Sequence, residues 1–428
     1  MKIALLILGA SLLALLAAGV ALMLSDSEDT NSDLRNIVDE GLAHIESLRG
    51  LQLNNSVPLT VLGDEDFNTS VGGGAFNVPF AEGRDLARQE RALGFAAPDD
   101  LASLLNADSD TNLLGLYDPL SQRILVRDVP VDLELKSTIV HELVHAVQDQ
   151  HFGPLFRANL TEDATLALTT LIEGEAEWVA EMWSRDQPPV EVEGEPFETE
   201  LPLGLIVSGS LPYVLGPIYI DTIARGGQRA IDEAHQNLPP NSAHTMRPWR
   251  EQGETPLVAG PDDDTEVLLE GDKGAAQLMF TIAAVTGDDA AGWRAGAAWG
   301  ADAYWVEDRD GVSCVSWDLV ARPGREQQLA EAVAAYASSL AEAHVDDSRL
   351  VSCDPGENAV LVSPSDGLAT FFRLTTALAL LHWIGPENDA DCIVEQILIS
   401  RAVEEVWQSN APQSHDAFVA AVGVCSPG

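Results

Sequence analysis

The sequence predicts an α+β protein behind an apolar N-terminal segment, and three observations predict it. Apolar residues recur at helical spacing through two long stretches, about 132–151 and 162–185. Two hairpin patterns, at 113–128 and 303–320, place short apolar runs on either side of turns rich in Asp, Pro or Gly. The 428 residues are 46% hydrophobic, enough for a large buried core and more than one domain.

Taken in order, the elements begin with Ile3 to Leu24, 22 residues without a charge. As a helix this run is about 33 Å long, enough to cross a hydrocarbon core of about 30 Å. Lys2 precedes it and Asp26, Glu28 and Asp29 follow, an asymmetry that puts the rest of the chain outside the cytoplasm. A cleavable signal peptide is the competing reading, because Gly19-Val20-Ala21 offers small residues at the right spacing. Ser25 to Asp33 then reads as an acidic linker, and Asp33 to Arg49 as a helix capped by Asp33. A loose stretch containing Gly72-Gly73-Gly74 leads to helices near 82–93 and 98–106, the first hairpin and the two long helices. An exposed loop at 187–200, a helix at 211–226 and a domain boundary within 253–264 follow. The expected division is 1–24, 25–255 and a smaller α+β unit at 256–428. That last unit holds a helix near 272–286, the second hairpin, a helix at 324–344, a strand at 358–363 and two final helices.

Charge sets the medium. Asp and Glu number 68 against 23 Lys and Arg, a formal net charge of −45, and only Lys2, Lys136 and Lys273 are lysines. Such a polyanion has no patch for nucleic acid or for polybasic recruitment to anionic lipid. Its self-repulsion is largely screened in molar salt, where the Debye length is about 3 Å. The expectation is a protein of a halophilic archaeon, with an acidic mesophilic surface protein as the alternative. Cys314, Cys353, Cys392 and Cys425 are an even set in an oxidising compartment and predict two disulfides, in any of three pairings. Asn54, Asn68 and Asn159 open glycosylation triplets.

The chemistry is concentrated in His141-Glu142-Leu143-Val144-His145. On a helix, residues four apart share a face, so both histidines can bind one zinc ion while Glu142 takes a proton from the water that the ion activates. A catalytic zinc needs a third protein ligand, and Glu173 supplies one if the second long helix runs back against the first. Glu177, four residues further on, is placed to hold the free ring N–H of a ligand histidine. Glu175 is expected on the solvated acidic face. Asp149, four after His145, either supports that ligand or lies on the helix surface.

H-E-x-x-H followed by Glu173-Gly174-Glu175-Ala176-Glu177 resembles the gluzincin metallopeptidases, whose third zinc ligand is a glutamate on the second helix. The longer runs HELVHAVQDQHF at 141–152 and LIEGEA at 171–176 resemble a group of extracytoplasmic prokaryotic proteins of this type. Further likeness covers GLYDPLSQRILVR at 115–127, 212–227 and 299–306, most of residues 110–320. The resemblance implies a zincin-like catalytic domain, zinc as cofactor and a peptide or protein substrate. It also makes the first hairpin the edge strand above the metal, to which an extended peptide adds; a hairpin that merely covers the core fits the sequence equally. The chain departs from the pattern at Arg247-Pro248, where a His-Pro pair is expected, so no role carries over to that position.

Tyr213, Tyr219 and His244 are the residues to consider as a second donor to the oxyanion. Trp178, Met182 and Trp183 read as core. Trp293, Trp299, Trp305 and Trp317 read either as a binding face or as core. The rival to a peptidase is a non-catalytic surface protein that keeps the scaffold.

Overall fold

The computed structural model describes residues 28–425 except 72–77, 109–112, 156, 158, 189–199, 251–254, 257, 259, 262–265, 347–348, 381–388 and 410–411. The apolar segment 3–24, the triple glycine, most of the 187–200 loop and most of the 253–264 boundary lie outside these residues. The fold is α+β and mostly helical. Among the described residues one helix, Leu203–Ala224, is long and apolar enough to cross a membrane, and 56% of its apolar window is buried in the protein.

Helix α1 (Glu28–Arg49) starts ahead of Asp33, so the expected linker is largely helical and Asp33 is no cap. An acidic start suits the positive end of a helix, which a reading of polarity as linker overlooked. Strands β1 (Leu59–Leu62), β2 (Gly115–Asp118) and β3 (Arg123–Arg127) form a sheet of order β1-β3-β2. The hairpin β2–β3 is antiparallel as expected, and β1 adds to it in parallel. Between β1 and the hairpin lie α2 (Asp64–Ser70), α3 (Phe80–Ala92) and α4 (Leu101–Asp108).

The two long helices are α5 (Leu133–Phe152) and α6 (Glu162–Arg185). Each is started by a side chain that satisfies an orphan N–H: Asp132 accepts from Leu135 N at 2.9 Å, and Thr161 from Ala164 N at 3.2 Å. Helix α7 (Leu203–Ala224) begins earlier than expected and runs through Pro212 and Pro217. The expected helix at 211–226 covers only the later part of α7, and packing sustains the helix through both prolines: α7 lies backbone to backbone on α6. A Cβ at Gly174 would sit 2.4 Å from Gly216 Cα, so only glycine allows this approach. Helices α8 (Gln228–Gln236) and α9 (Ser242–Met246) complete this half. One core joins α1, the small sheet, α5 and α6 through Ile45, Val126, Ile139, Leu143 and Leu171.

The second sheet has order β4-β5-β6-β8-β7, all antiparallel: β4 (Val267–Gly271), β5 (Trp299–Arg309), β6 (Val312–Ala321), β7 (Ala343–Asp346) and β8 (Arg349–Cys353). Helices α10 (Gly274–Thr286) and α11 (Asp289–Ala298) precede β5, and α12 (Glu326–Ser339) follows β6. The expected helix 324–344 therefore stops short of β7. The expected strand 358–363 is only a single bridge, Val362 to Phe95. Among the described residues four α-helices rather than two follow: α13 (Pro364–Ala379), α14 (Ala390–Ser400), α15 (Val403–Gln408) and α16 (Asp416–Cys425). The larger core draws on Leu166 and Leu203 to Leu215 as well as on this half, so residues from both sides of position 255 share it.

The disulfides pair Cys314 with Cys353, facing residues of β6 and β8, and Cys392 with Cys425, which ties α14 to α16. Trp293, Trp299, Trp305 and Trp317 are all buried, so they build core and present no binding face. Arg247 is fully buried, with its guanidinium 3.5 Å from Asp391, a carboxylate that also accepts from Arg250 Nε at 2.8 Å. The departure from the expected histidine thus belongs to a knot that fastens residues 247–250 to the start of α14.

Two buried carboxyls give the stability a pH dependence. Burial, partly offset by Lys273 and the Gly204 backbone, pushes Glu90 up to about 7. Burial, partly offset by hydrogen bonding to Ser242, pushes Asp163 up to about 8, and Asp302 and Asp272 push in the same direction. Both raised groups act with one sign. Below about pH 4 folded and unfolded chains both hold the protons. Above it the unfolded chain releases them first, so stability is lost as pH rises toward 7 and 8. Glu90→Gln is expected to remove about 2–3 kcal/mol of that loss between pH 5 and pH 7. Denaturant midpoints of both proteins at fixed salt check this; equal slopes against pH would count against it.

Candidate metal centre

Residues four apart on α5 put His141 and His145 on one face, and α6 returns antiparallel to bring Glu173 opposite them. His145 Nε2 lies 3.0 Å from His141 Nε2 and 3.3 Å from Glu173 Oε2, and His141 Nε2 lies 3.2 Å from Glu173 Oε2. Among the described residues this is the group whose donor atoms converge in a way that could hold a metal ion. Two nitrogens and one oxygen form a triangle with edges of 3.0–3.3 Å. A tetrahedron with bonds of about 2.0–2.1 Å has edges of about 3.3 Å, so the donor set fits a small divalent ion with a fourth position left for a non-protein ligand.

The electrostatics favour a cation. Burial opposes a charged imidazole at His141, but hydrogen bonds to Glu173 and Glu177 and the nearby Glu142 outweigh it and raise its pKa to about 10. Burial would raise the Glu173 carboxyl, yet His145 and His141 hold it well below the usual carboxylate range. A buried carboxylate that favours a charged imidazole beside it favours a metal ion between the same donors as well. Glu177 takes the place expected for it: its Oε2 stands 3.3 Å from His141 Nδ1, on the ring edge turned away from the triad.

Glu142 is buried and faces the small sheet. Its Oε2 accepts from Tyr117 N at 2.6 Å, on the outer strand β2. Arg127 N donates to Leu114 O, so residues 114, 116 and 118 face β3, while 115 and 117 turn their backbone groups to the free edge. Gly115 permits this contact between strand and helix, because a Cβ there would lie 2.9 Å from Thr138 Cγ2.

Of the three candidate donors, the structure brings Tyr213 to the centre. Its ring stacks on His141 with centroids 6.3 Å apart. Tyr219 is buried in the core, and His244 Nδ1 lies 2.7 Å from Asn241 Oδ1. Asp149 does not support His145; it accepts from Tyr117 Oη at 2.9 Å. Gln148 does, with Oε1 3.0 Å from His145 Nδ1. The i,i+3 spacing of His145 and Gln148 carried that signal in the sequence and was missed.

Glu175 corrects the expectation of a solvated face. It is buried at 1% exposure and paired through Oε1 with Arg49 Nε. Its Oε2 lies 2.5 Å from His235 Nε2 and accepts from Gln148 Nε2 at 2.9 Å. Glutamates at 173, 175 and 177 cannot share one side of a helix; the middle one turns inward because Arg49 and His235 meet it there. No family model, curated protein or solved structure matches this chain.

Proposed function

We propose that the chain is a zinc metallopeptidase of the gluzincin type, acting outside the cytoplasm, anchored by or released from its apolar N-terminal segment, in concentrated salt. The observation that carries the reading is the convergence of His141, His145 and Glu173 with Glu142 beside them and a free strand edge next to Glu142. Two histidines and one carboxylate are a donor set suited to catalytic zinc. When bound, the ion supplies Lewis acidity toward water and toward a scissile carbonyl.

The chain's own residues do the rest. The backbone groups of Gly115 and the carbonyl of Tyr117, on the outer side of β2, are what an extended peptide would add to, which sets its register without reading side chains closely. Glu142 accepts the proton of the attacking water and passes it to the departing amine. The Tyr117 N–H holds the Glu142 carboxylate at that edge. Tyr213 borders the centre from α7, its ring stacked on His141, and is the candidate to test as a donor to the developing oxyanion.

The test is zinc per chain in the full protein purified in molar salt, followed by a peptide-library screen. The expected value is near one, lost to a strong chelator together with hydrolysis and restored by zinc. A value near zero after zinc is added and the excess removed would sink the reading. Bound zinc without hydrolysis of any peptide would favour the non-catalytic surface protein.

A further inference from the structure

We propose that Gln148 is a positioning residue for the metal, and that Glu175 acts through it as an anchor. The inference rests on the metal-centre reading above. Gln148 is almost fully buried, and its carboxamide is held from three sides. Nε2 donates to Ile172 O at 3.0 Å and to Glu175 Oε2 at 2.9 Å. Both partners are acceptors only, so a flipped amide would set oxygen against two oxygens. The amide therefore has one orientation, with Oε1 toward His145 Nδ1 at 3.0 Å.

An amide oxygen cannot donate, so His145 must carry its proton on Nδ1. Nε2 is then the nitrogen left to offer a lone pair to a metal, and it lies 3.0 Å from His141 Nε2 and 3.3 Å from Glu173 Oε2. Glu175 in turn cannot swing away, because Arg49 and His235 hold it. Arg49 is itself fixed by Asp232 Oδ1 at 2.7 Å, and the His235 ring stacks on Phe152 with centroids 4.3 Å apart. Side chains from α1, α5, α6 and α8 thus fix the tautomer of one ligand. A core built only for packing has no need of a buried guanidinium, an imidazole, a carboxylate and an amide at this position.

The experiment uses the full chain in molar salt and compares wild type with Gln148→Met, which keeps the length but removes the acceptor. Zinc affinity is read by competition with a chromophoric chelator, and the melting temperature of the metal-free proteins is read alongside. The expected result is a loss of about 10–100-fold in zinc affinity by a variant that still melts cooperatively. Equal affinity in the two proteins would overturn the proposal and leave the metal centre standing. A wild type that binds no zinc would end the metal-centre reading and this proposal with it. If the variant does not fold, ¹⁵N spectra of histidine-labelled, zinc-loaded wild type decide: a protonated Nδ1 on His145 supports the role, and a metal-bound Nδ1 overturns it.

Discussion

Glu142→Gln is expected to lower peptide hydrolysis by about 10²–10⁴-fold while zinc per chain stays that of wild type. The substitution keeps the side chain's length and leaves an amide oxygen to accept from Tyr117 N, so the contact between α5 and β2 survives. What is lost is the ability to take a proton. His141, His145 and Glu173 are untouched, so metal content is the internal control. Hydrolysis by the variant at the wild-type rate would mean that the activity belongs to another site or to a contaminant. Loss of zinc together with activity would mean that Glu142 supports the centre and does not act as its base.

Glu175→Ala is expected to destabilise the protein by about 3–5 kcal/mol. The side chain is fully enclosed and stands between Arg49 and His235, themselves buried. Truncation leaves the buried Arg49 guanidinium and the His235 imidazole without their shared carboxylate and frees the Gln148 amide. Asp232 continues to pair with Arg49 from its more exposed position, which limits the loss. Denaturant unfolding at constant salt and pH measures the effect. Glu175→Gln, which keeps the volume and some hydrogen bonding, should fall between the two. A loss below about 1 kcal/mol would place Glu175 in the solvated environment typical of a surface ion pair.

The sequence made the chemistry more legible than the support behind it. Periodicity located α5 and α6 almost to the residue, because each has a capping side chain and a continuous apolar stripe. The spacing of His141 and His145 put two donors on one face, and Glu173 joined them on the expectation that α6 runs back against α5. The short strands β1, β4, β7 and β8 were not read: runs such as Leu59–Leu62 become strands only through partners far along the chain. Helix α7 was read only from residue 211 on, while the contact that sustains the longer helix through its prolines, Gly174 on Gly216, is tertiary. Glu175 was misread for the same reason. Its burial depends on Arg49 and His235, and no local pattern reports residues that distant.

The anchoring of Glu175 also orders events during synthesis. Arg49 precedes Glu175 by 126 residues and His235 follows it by 60. All three candidate donors are synthesised once Glu173 is made, yet the wall behind His145 is incomplete until α8 follows. A nascent chain therefore presents its ligands before it can hold them in place. On the proposed reading, metal capture would be a late step, coupled to closure of the first half of the fold, and a chain truncated before His235 should carry the motif intact with the centre unbuilt.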